Sequence, residues 1–512
     1  MNYKKLGKIL GKIMILEGIL MVLPLLVSLI YNEGFTNALA FLIPIAALVL
    51  LGFLLQIPKP KRNVLYQKEG FALTALVWIV MTLFGAIPFV INKDIPNYVD
   101  ACFEIMSGFT TTGASIVDDI TLLSRSTLFW RSFSHWIGGM GILVFVLIFI
   151  PESNDGSSMH LLRAESPGPQ VGKIVSKMKA TTRILYLIYL GLTVFEVIFL
   201  VCDPNLVPGC STGDRFFYSL LATFGSAGTG GFGFVAGSME LLSPYSQYVI
   251  AIFLLLFGIN FSLYYLLLIG KCKEVFRSEE LRTYLLIIAT AVTLVFINLM
   301  TKMSAVYTTE EAFRHSLFQV ASIITTTGYS TTDFNVWPIT AVTVLVVLMF
   351  IGAMAGSTAG GIKTSRIVIA VKGAYVNVRK LINPRYVPKV KFEGKTLEEK
   401  TINDVFSFIT LYLFILIIVT FLLSFDAASG TIVTITSDTG TYEQTHGFFS
   451  NFSAALSCIS NIGPAFETVG AYSSFSAFNP FSTILLTLTM LIGRLEILPV
   501  LILFSPKTWK KI

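Results

Sequence analysis

Charged residues are scarce in this sequence. Asp, Glu, Lys and Arg make up 13% of its 512 residues, whereas 54% are hydrophobic. A soluble protein of this length needs more charge to cover its surface. Several apolar windows run for about 20 residues, the length that crosses a hydrocarbon core of roughly 30 Å. The composition therefore excludes a soluble globular protein and indicates a polytopic membrane protein that lies in the lipid bilayer.

Metal-binding and catalytic patterns are also missing. The five cysteines include no CxxC pair and the four histidines are scattered, so no zinc or redox site is expected. The glycine-rich segment GSTAGGIKTS (356–365) lacks the spacing of a phosphate-binding loop, because Ile362 separates its last glycine from Lys363. We therefore expect no enzyme activity and no covalent cofactor. Cys202 and Cys210 either form a disulfide or remain two small buried thiols.

Ten apolar segments are candidate membrane spans, which predicts an all-α fold. They lie at about 9–30, 36–57, 70–92, 127–150, 181–202, 245–270, 283–300, 337–372, 404–424 and 481–505. The eighth is interrupted by Gly352, Gly356, Gly360 and Gly361. Because each glycine costs about 1 kcal/mol relative to alanine in a helix, this span should break. The alternative is close helix packing, since Gly352 and Gly356 also fit a GxxxG pattern.

Basic residues follow the predicted spans in alternation. Of the 37 Lys and Arg residues, 30 fall in the two termini and in every second connection. The positive-inside rule therefore predicts that both termini lie in the cytoplasm and that the chain spans the cytoplasmic membrane. The net charge of +7 reflects this topology, and we infer no nucleic-acid partner from it. The opposite connections are acidic, which either concentrates cations near an entrance or reflects ordinary solvated loops.

Four motifs share a layout of short apolar helix, glycine turn and span. They are FEIMSGFTTTGAS (103–115), LATFGSAGTGGFG (221–233), FQVASIITTTGYS (318–330) and SAALSCISNIGPA (453–465), and they align on Gly113, Gly231, Gly328 and Gly463. The helix before the third turn, which starts from a Thr308–Glu311 capping box, has about 15 residues and is too short to span the membrane. Irregular backbone at membrane depth is tolerated only where it lines a water-filled cavity or is buried in protein.

The repeated layout predicts four span–re-entrant helix–span units around one central pore, preceded by two further spans. The division is 1–57 for an N-terminal helix pair, 58–151 for pore unit one, 152–272 for unit two, 273–380 for unit three with an intramembrane loop at 352–362, and 381–512 for unit four. Inward-facing carbonyl oxygens can replace the hydration shell of an ion, and glycine permits the backbone angles this needs. The turns contain no carboxylate, which favours a monovalent cation over calcium.

These motifs resemble the Trk/Ktr/HKT superfamily of potassium transporters, and within it the TrkH type. The resemblance covers essentially the whole length and is carried by TTTGAS (110–115), AGTGGFG (227–233), TTTGYS (325–330), SNIGPAF (460–466), AGSTAGGIKTSR (355–366) and HLLRAESPGP (160–169). The additional N-terminal helix pair favours the TrkH type over the shorter Ktr subunit. The resemblance implies potassium uptake, a homodimer with one pore per subunit, and a cytoplasmic TrkA-type nucleotide-binding regulatory ring.

The resemblance also implies which residues bind potassium. The ligands would be main-chain carbonyls of Thr111, Thr112, Gly113, Thr229, Gly230, Gly231, Thr326, Thr327, Gly328, Asn461, Ile462 and Gly463. The fourth turn departs from the threonine-glycine pattern, which puts tight selectivity over sodium in doubt. Sodium-preferring plant relatives carry serine at the first glycine, so Gly113 favours potassium. The gate would be the loop that contains Gly352, Gly356, Ser357, Thr358, Gly360 and Gly361.

Arg494 is a basic residue inside the last predicted span. Because a charge at mid-membrane costs roughly 2.5 kcal/mol or more, it normally faces a cavity or a partner. We expect it to project into the pore below the filter, near the gate loop, and to oppose resident cations. The alternative is a packing salt bridge with Glu17, Glu196 or Glu496. Lys363, a second pore charge, lies at the cytoplasmic end of the loop, where snorkelling suffices.

Three other transport functions remain open on the sequence. One is the potassium-translocating subunit of a P-type ATPase, which also has four such units, and another is a sodium- and potassium-permeable relative of low selectivity. A proton-coupled carrier with inverted repeats predicts broken spans on both membrane sides. Here the four turns all fall on the predicted outer side, which favours the pore.

Overall fold

Helices dominate the computed structural model, which describes residues 2–58, 67–141, 178–383, 389–437, 440–505 and 509. The helices are Tyr3–Leu20, Val22–Ile30, Phe35–Gln56, Gln67–Gly85, Ile87–Ile91, Tyr98–Phe109, Arg125–Gly139, Met178–Val201, Thr212–Gly228, Pro244–Phe257, Phe261–Leu268, Cys272–Arg277, Glu279–Lys302, Thr309–Ile324, Ile339–Phe350, Thr364–Ile382, Glu399–Leu423, Phe448–Ser460, Pro480–Arg494 and Leu498–Phe504. Short 3₁₀ turns cover Ile120–Leu122, Phe334–Val336 and Glu467–Val469.

Three small two-stranded sheets accompany the helices in the described ranges, so this part of the fold is mostly helical and not purely α. Ile351–Gly352 pairs in parallel with Ile362–Lys363. Two antiparallel hairpins join Lys391–Phe392 to Lys395–Thr396 and Ile432–Ser437 to Gly440–Thr445. The first sheet closes the glycine-rich loop, and the other two lie in connections between helices.

Six helical segments within the described ranges are long and apolar enough to cross a membrane, or seven if one bent pair is counted as a span. The six are Tyr3–Ile30, Phe35–Gln56, Lys68–Ile91, Thr182–Val201, Glu279–Lys302 and Glu399–Leu423. This establishes a multi-pass membrane protein. The predicted total of ten spans stays a prediction, because the other four segments are not continuous helices in the described residues.

Each of these four segments differs from a simple span. The predicted span 245–270 bends by 91° between Phe257 and Phe261, and 337–372 is non-helical from Ile351 to Lys363. The predicted span 481–505 is broken between Arg494 and Leu498. The predicted span 127–150 is helical from Arg125 to Gly139, and its part from 142 onward lies outside the described residues, as does the motif at 160–169.

The N-terminal helices pack through small residues. A Cβ on Gly11 would lie 2.5 Å from the Gly52 carbonyl oxygen, and a Cβ on Gly52 would lie 2.7 Å from the Gly11 oxygen. Helices that approach this closely in a membrane use small residues because they permit backbone contact. Glycine at both positions therefore allows the close packing of the helix Tyr3–Leu20 on Phe35–Gln56.

Cys202 and Cys210 are both free thiols, and Cys202 is exposed whereas Cys210 is partly exposed. Neither the predicted disulfide nor the predicted pair of buried thiols therefore describes them fully.

Candidate functional site

Four short helices each end in one of the predicted glycine turns. These pre-turn helices are Tyr98–Phe109, Thr212–Gly228, Thr309–Ile324 and Phe448–Ser460. We call the turns that follow turn one (111–113), turn two (229–231), turn three (326–328) and turn four (461–463). In all four, the amide of the middle residue donates to the carbonyl five residues earlier: 112 to 107, 230 to 225, 327 to 322 and 462 to 457, at 2.8–3.0 Å. This is the closing bond of a Schellman-type helix end.

The third pre-turn helix begins at the predicted capping box. The Thr308 amide and hydroxyl each donate to Glu311 Oε2 at 2.9 Å, and the Glu311 amide donates to the Thr308 hydroxyl at 3.3 Å. These hydrogen bonds, with the backbone one the largest contribution, hold the pKa of the Glu311 carboxyl below its usual value. The cap satisfies amides that the first turn of a helix leaves without partners.

The four turns also share one pattern of backbone angles. The first residue of each turn has a positive φ: 53° at Thr111, 56° at Thr229, 55° at Thr326 and 57° at Asn461. The glycine two residues later is positive again, with values of 81°, 74°, 85° and 107° in turns one to four. The residue between them is not positive. Because residues with a side chain rarely adopt a positive φ, the shared pattern means that the four turns have one specific backbone conformation.

The four turns meet one another in a closed ring. A Cβ added to any of the four glycines would collide with the middle carbonyl oxygen of the next turn, and the fourth glycine faces the first turn. The glycine–oxygen pairs are Gly113–Gly230, Gly231–Thr327, Gly328–Ile462 and Gly463–Thr112. Because these contacts run in chain order and close on themselves, segments from four distant parts of the sequence surround one common axis. Only glycine fits at these four positions.

A buried ion pair supports turns one and two, and the sequence interpretation missed it. Arg131 Nε donates to Glu104 Oε1 at 2.7 Å, and both side chains are almost fully buried. The guanidinium also donates to Ser115 Oγ at 3.2 Å and lies 4.3 Å from the centre of the Phe232 ring. Glu104 further accepts from the Ile116 amide at 2.8 Å. The pair therefore joins the first pre-turn helix to the chain leaving turn one and the chain leaving turn two.

His135 makes a second connection that the sequence interpretation missed. Its Nε2 accepts a hydrogen bond from the Phe232 amide at 3.2 Å, so its Nδ1 carries the proton and donates to the Gly108 oxygen at 2.8 Å. The ring is fully buried. A Cβ on Gly230 would overlap it, so the absence of a side chain at Gly230 lets His135 approach turn two.

The glycine-rich segment forms a loop between Gly352 and Ile362 that lies against the turns. The Gly360 amide donates to Thr326 Oγ1 in turn three at 2.6 Å. The Met354 amide donates to the Gly258 oxygen at 3.2 Å, and the Phe261 amide donates to the Gly356 oxygen at 3.0 Å. The loop thus fills the break in the bent helix pair and supplies the hydrogen bonds that the bend leaves open, which is the condition for irregular backbone at membrane depth.

The predicted gate residues are divided between this loop and its edge. Gly352 belongs to the short strand that closes the loop, whereas Gly356, Ser357, Thr358, Gly360 and Gly361 lie within it. Ser357 Oγ donates to the Met354 oxygen at 2.7 Å, and Thr358 is fully buried. Lys363 is 5% exposed and donates to the Ala359 oxygen. The buried ammonium therefore holds the base of the loop and does not reach solvent as a snorkelling lysine would.

Arg494 connects the loop to a distant helix. Its guanidinium donates to the Thr358 oxygen at 3.0 Å and to the Gly139 oxygen at 2.9 Å, and it also contacts the Gly138 oxygen. The salt-bridge alternative does not hold for Glu496, which pairs with Arg366. In the described part of the chain, the carboxyl oxygens of Glu17 and Glu196 accept no hydrogen bond from Arg494. Arg494 therefore joins the loop to the end of the helix Arg125–Gly139.

Metal chelation by side chains has no support in the described ranges. No group of three or more His, Cys, Asp or Glu residues there could hold a metal ion. The polar atoms at the contacts between the four turns are instead uncharged main-chain carbonyl oxygens. Such oxygens suit an alkali-metal cation better than a small divalent ion that resists dehydration.

Multiple helices long enough to span a membrane and four glycine turns in mutual contact define a polytopic membrane protein. Comparison with known families gives the particular assignment. The TrkH family model, described as a cation transport protein, matches residues 37–511, and the chain belongs to this family.

The relatives match over nearly their entire lengths. The chain is 32% identical to the Trk system potassium uptake protein TrkH of Escherichia coli (strain K12), with 100% of each chain covered. It is 29% identical to the Trk system potassium uptake protein TrkG of the same strain, covering 98% of this chain and 97% of the relative. The crystal structure of the potassium transporter TrkH from Vibrio parahaemolyticus matches with a TM-score of 0.84 at 28% identity, and 100% of each chain is covered.

Proposed function

We propose that the protein takes up potassium ions across the cytoplasmic membrane through a channel-like pore. The observation that carries the proposal is the closed ring of glycine–carbonyl contacts among turns one to four. The names of the relatives, which are potassium uptake proteins, agree with it. The pore is formed by four pseudo-repeated units within one chain, with both termini in the cytoplasm. Potassium is the bound and transported ion, and no chemical reaction is catalysed.

The selectivity filter consists of the main-chain oxygens of the four turns. The potassium ligands are the carbonyls of Thr111, Thr112, Gly113, Thr229, Gly230, Gly231, Thr326, Thr327, Gly328, Asn461, Ile462 and Gly463. The φ pattern that the four turns share supports this function, because it gives them one backbone conformation and so lets each turn contribute equivalent carbonyls to the ion. The pre-turn helices point their C-terminal ends, which are partly negative, toward the same axis, and this favours a cation.

The loop between Gly352 and Ile362 is the gate. It lies directly against turn three through the hydrogen bond from Gly360 to Thr326, so an ion leaving the filter meets it next. Arg494 holds the loop in place through Thr358 and adds a positive charge below the filter. Release of these contacts would open the route to the cytoplasm. We further propose that the protein forms a homodimer and that a TrkA-type nucleotide-binding ring regulates the gate from the cytoplasm.

One observation favours a less selective pore as a second candidate. Turn four begins with asparagine and isoleucine, where the other turns begin with threonine followed by threonine or glycine. Its glycine has a φ of 107°, outside the range of 74–85° in turns one to three. Its contact with turn one is also the loosest, since a Cβ on Gly463 would lie 2.6 Å from the Thr112 oxygen. A ring with one wider contact could admit sodium as well as potassium.

Uptake of radioactive rubidium by proteoliposomes that contain the purified protein tests both candidates. A selective potassium pore predicts that external potassium suppresses rubidium uptake at concentrations where sodium has little effect. Equal competition by the two ions would support the less selective pore. Rubidium uptake no greater than in liposomes without protein would contradict both. Membranes that contain the Gly231→Ala variant serve as the control, because its Cβ would overlap the Thr327 oxygen and disrupt the ring.

A further inference from the structure

A carboxylate outside the predicted filter and gate residues holds the two limbs of the loop together. Glu280 is 3% exposed and belongs to the helix Glu279–Lys302. Its Oε1 accepts hydrogen bonds from the Ala355 amide at 2.8 Å and from the Ser365 amide at 3.1 Å. One of these amides precedes the glycines at 356–361 and the other follows them. Because a single oxygen atom binds both limbs, its position sets how far apart they lie.

A second carboxylate holds the helix end that carries Glu280. Glu393 Oε1 accepts from Ser278 Oγ at 2.8 Å and from the Glu280 amide at 3.0 Å. Glu393 is 113 residues away in sequence from Glu280, in the hairpin formed by Lys391–Phe392 and Lys395–Thr396. Glu280 therefore contacts the loop through its side chain and the hairpin through its main chain.

The hairpin turn places Glu393 in a backbone state that glutamate rarely adopts. Glu393 and Gly394 form a two-residue turn with φ values of 50° and 72°. Turns with two positive φ values favour asparagine, aspartate or glycine at both positions. The local sequence preference thus gives no reason for glutamate here. The two hydrogen bonds that its carboxylate accepts do give one, because only this side chain reaches the helix end from the turn.

The hairpin also packs against the helix that continues from the loop. Phe392 is 4% exposed and packs with Ile369. Lys372 Nζ donates to the Lys391 oxygen at 2.8 Å and pairs with Glu279. Ile369 and Lys372 belong to the helix Thr364–Ile382, which begins where the loop ends. The hairpin is therefore attached to the elements on both sides of the Glu280 carboxylate.

We propose that Glu280 and Glu393 are positioning residues that connect this hairpin, on the predicted cytoplasmic side, to the intramembrane loop. A displacement of the hairpin withdraws Glu393 from the helix end, shifts Glu280, and loosens the two limbs of the loop. The hairpin thereby becomes the point at which a cytoplasmic signal reaches the gate. The connection to transport rests on the proposed function of the loop as the gate, whereas the mechanical link does not depend on it.

Hydrogen–deuterium exchange of the full chain in lipid nanodiscs measures the link directly. Because removal of the acceptor leaves the Ser278 hydroxyl and the Glu280 amide without this partner, we expect Glu393→Ala to speed exchange in peptides covering 353–365 by about tenfold. Glu393→Gln keeps an acceptor oxygen and should restore slow exchange. Glu280→Ala and Glu280→Gln should behave in the same way. The control is Glu398→Ala, which alters an exposed glutamate whose side chain does not cap its helix.

Rubidium flux through the same variants separates this inference from the proposed function. The link and the gate are both supported if Glu393→Ala shows faster loop exchange and faster flux, with an unchanged potassium-over-sodium preference. In that case Glu393→Gln should return the exchange and the flux to the values of the unaltered protein. Faster loop exchange without any change in flux supports the link and contradicts the gate. Loop exchange in Glu393→Ala equal to that in Glu398→Ala overturns the inference, whatever the flux. If Glu280→Ala fails to fold, Glu393→Ala still provides the test, because Glu393 is partly exposed whereas Glu280 is buried.

Discussion

Serine at position 113 would disturb the ring at the contact between turns one and two. Gly113 has a φ of 81°, a backbone state that costs a residue with a side chain roughly 1–2 kcal/mol. The added Cβ would also overlap the Gly230 carbonyl oxygen. Since carbon and oxygen atoms in close contact are normally about 3.3 Å apart or more, one of the two backbones must move on the order of 1 Å.

A shift of this size should weaken discrimination between potassium and sodium. In the proposed filter, carbonyl oxygens replace the hydration shell of the ion, so the ion preference depends on where those oxygens lie and how they are held. We expect Gly113→Ser to reduce the potassium-over-sodium preference by on the order of tenfold, which corresponds to about 1.4 kcal/mol. Competition of potassium and sodium against rubidium uptake in proteoliposomes measures this preference.

Gly209→Ser is the matched control for this variant. Gly209 has a φ of 75°, and apart from its chain neighbours no heavy atom of the described residues lies within 4 Å of the position that its Cβ would take. The control therefore introduces similar backbone strain without displacing a carbonyl of the ring, and its ion preference should equal that of the unaltered protein. An unchanged preference in Gly113→Ser, or an equal loss in Gly209→Ser, would refute the reasoning that the ring determines selectivity.

Three further predictions follow from single contacts. Arg494→Ala removes a charged hydrogen bond to the loop and a positive charge below the filter, so rubidium flux should rise about tenfold; an unchanged flux would leave Arg494 with a packing function only. Glu104→Gln leaves the Arg131 charge buried without its partner, which should destabilise the protein by roughly 3–5 kcal/mol and lower its thermal denaturation midpoint. A midpoint equal to that of the unaltered protein would contradict a stabilising contribution of the Arg131–Glu104 pair. Thr308→Ala removes the cap of the third pre-turn helix and should cost about 1 kcal/mol, seen as a smaller midpoint decrease with ion preference intact; altered preference would mean that the cap also shapes turn three.

The glycine turns could be predicted because their requirement is local. Gly113 and its three counterparts have positive φ values and no room for a Cβ, and both demands select glycine in the sequence itself. The break of the eighth predicted span is local for the same reason, since four glycines occur between 352 and 361. The structure places non-helical backbone there, closed by the pairing of Ile351 with Ile362.

The other helix breaks depend on distant parts of the chain. At the bend after Phe257, the open backbone hydrogen bonds are made with Met354 and Gly356 of the loop. A single glycine at 258 is not enough to predict this bend from the sequence. The break after Arg494 has no glycine between residues 495 and 497. There the chain takes positive φ values at Glu496 and Ile497, which only tertiary contacts such as the Glu496–Arg366 pair can stabilise.

The sequence interpretation missed two buried charged residues, Arg131 and Glu280, and the sequence signals only the first of them. Arg131 lies within the predicted span 127–150, so the cost of a buried charge that singled out Arg494 applies to it equally. Glu280 gives no such signal, because acidic residues are ordinary in the first turn of a helix. Its function follows only from the fold, which brings Ala355 and Ser365 to the same carboxylate oxygen.

Ion density in the ring of the four turns is the most direct test of the proposed filter. A structure determined with thallium or rubidium in place of potassium would locate the ion by its strong scattering. We predict density on the common axis, in contact with the carbonyl oxygens of Thr112, Gly230, Thr327 and Ile462. An ion bound elsewhere in the protein, with the space among these four oxygens empty in a preparation that takes up rubidium, would contradict the proposal.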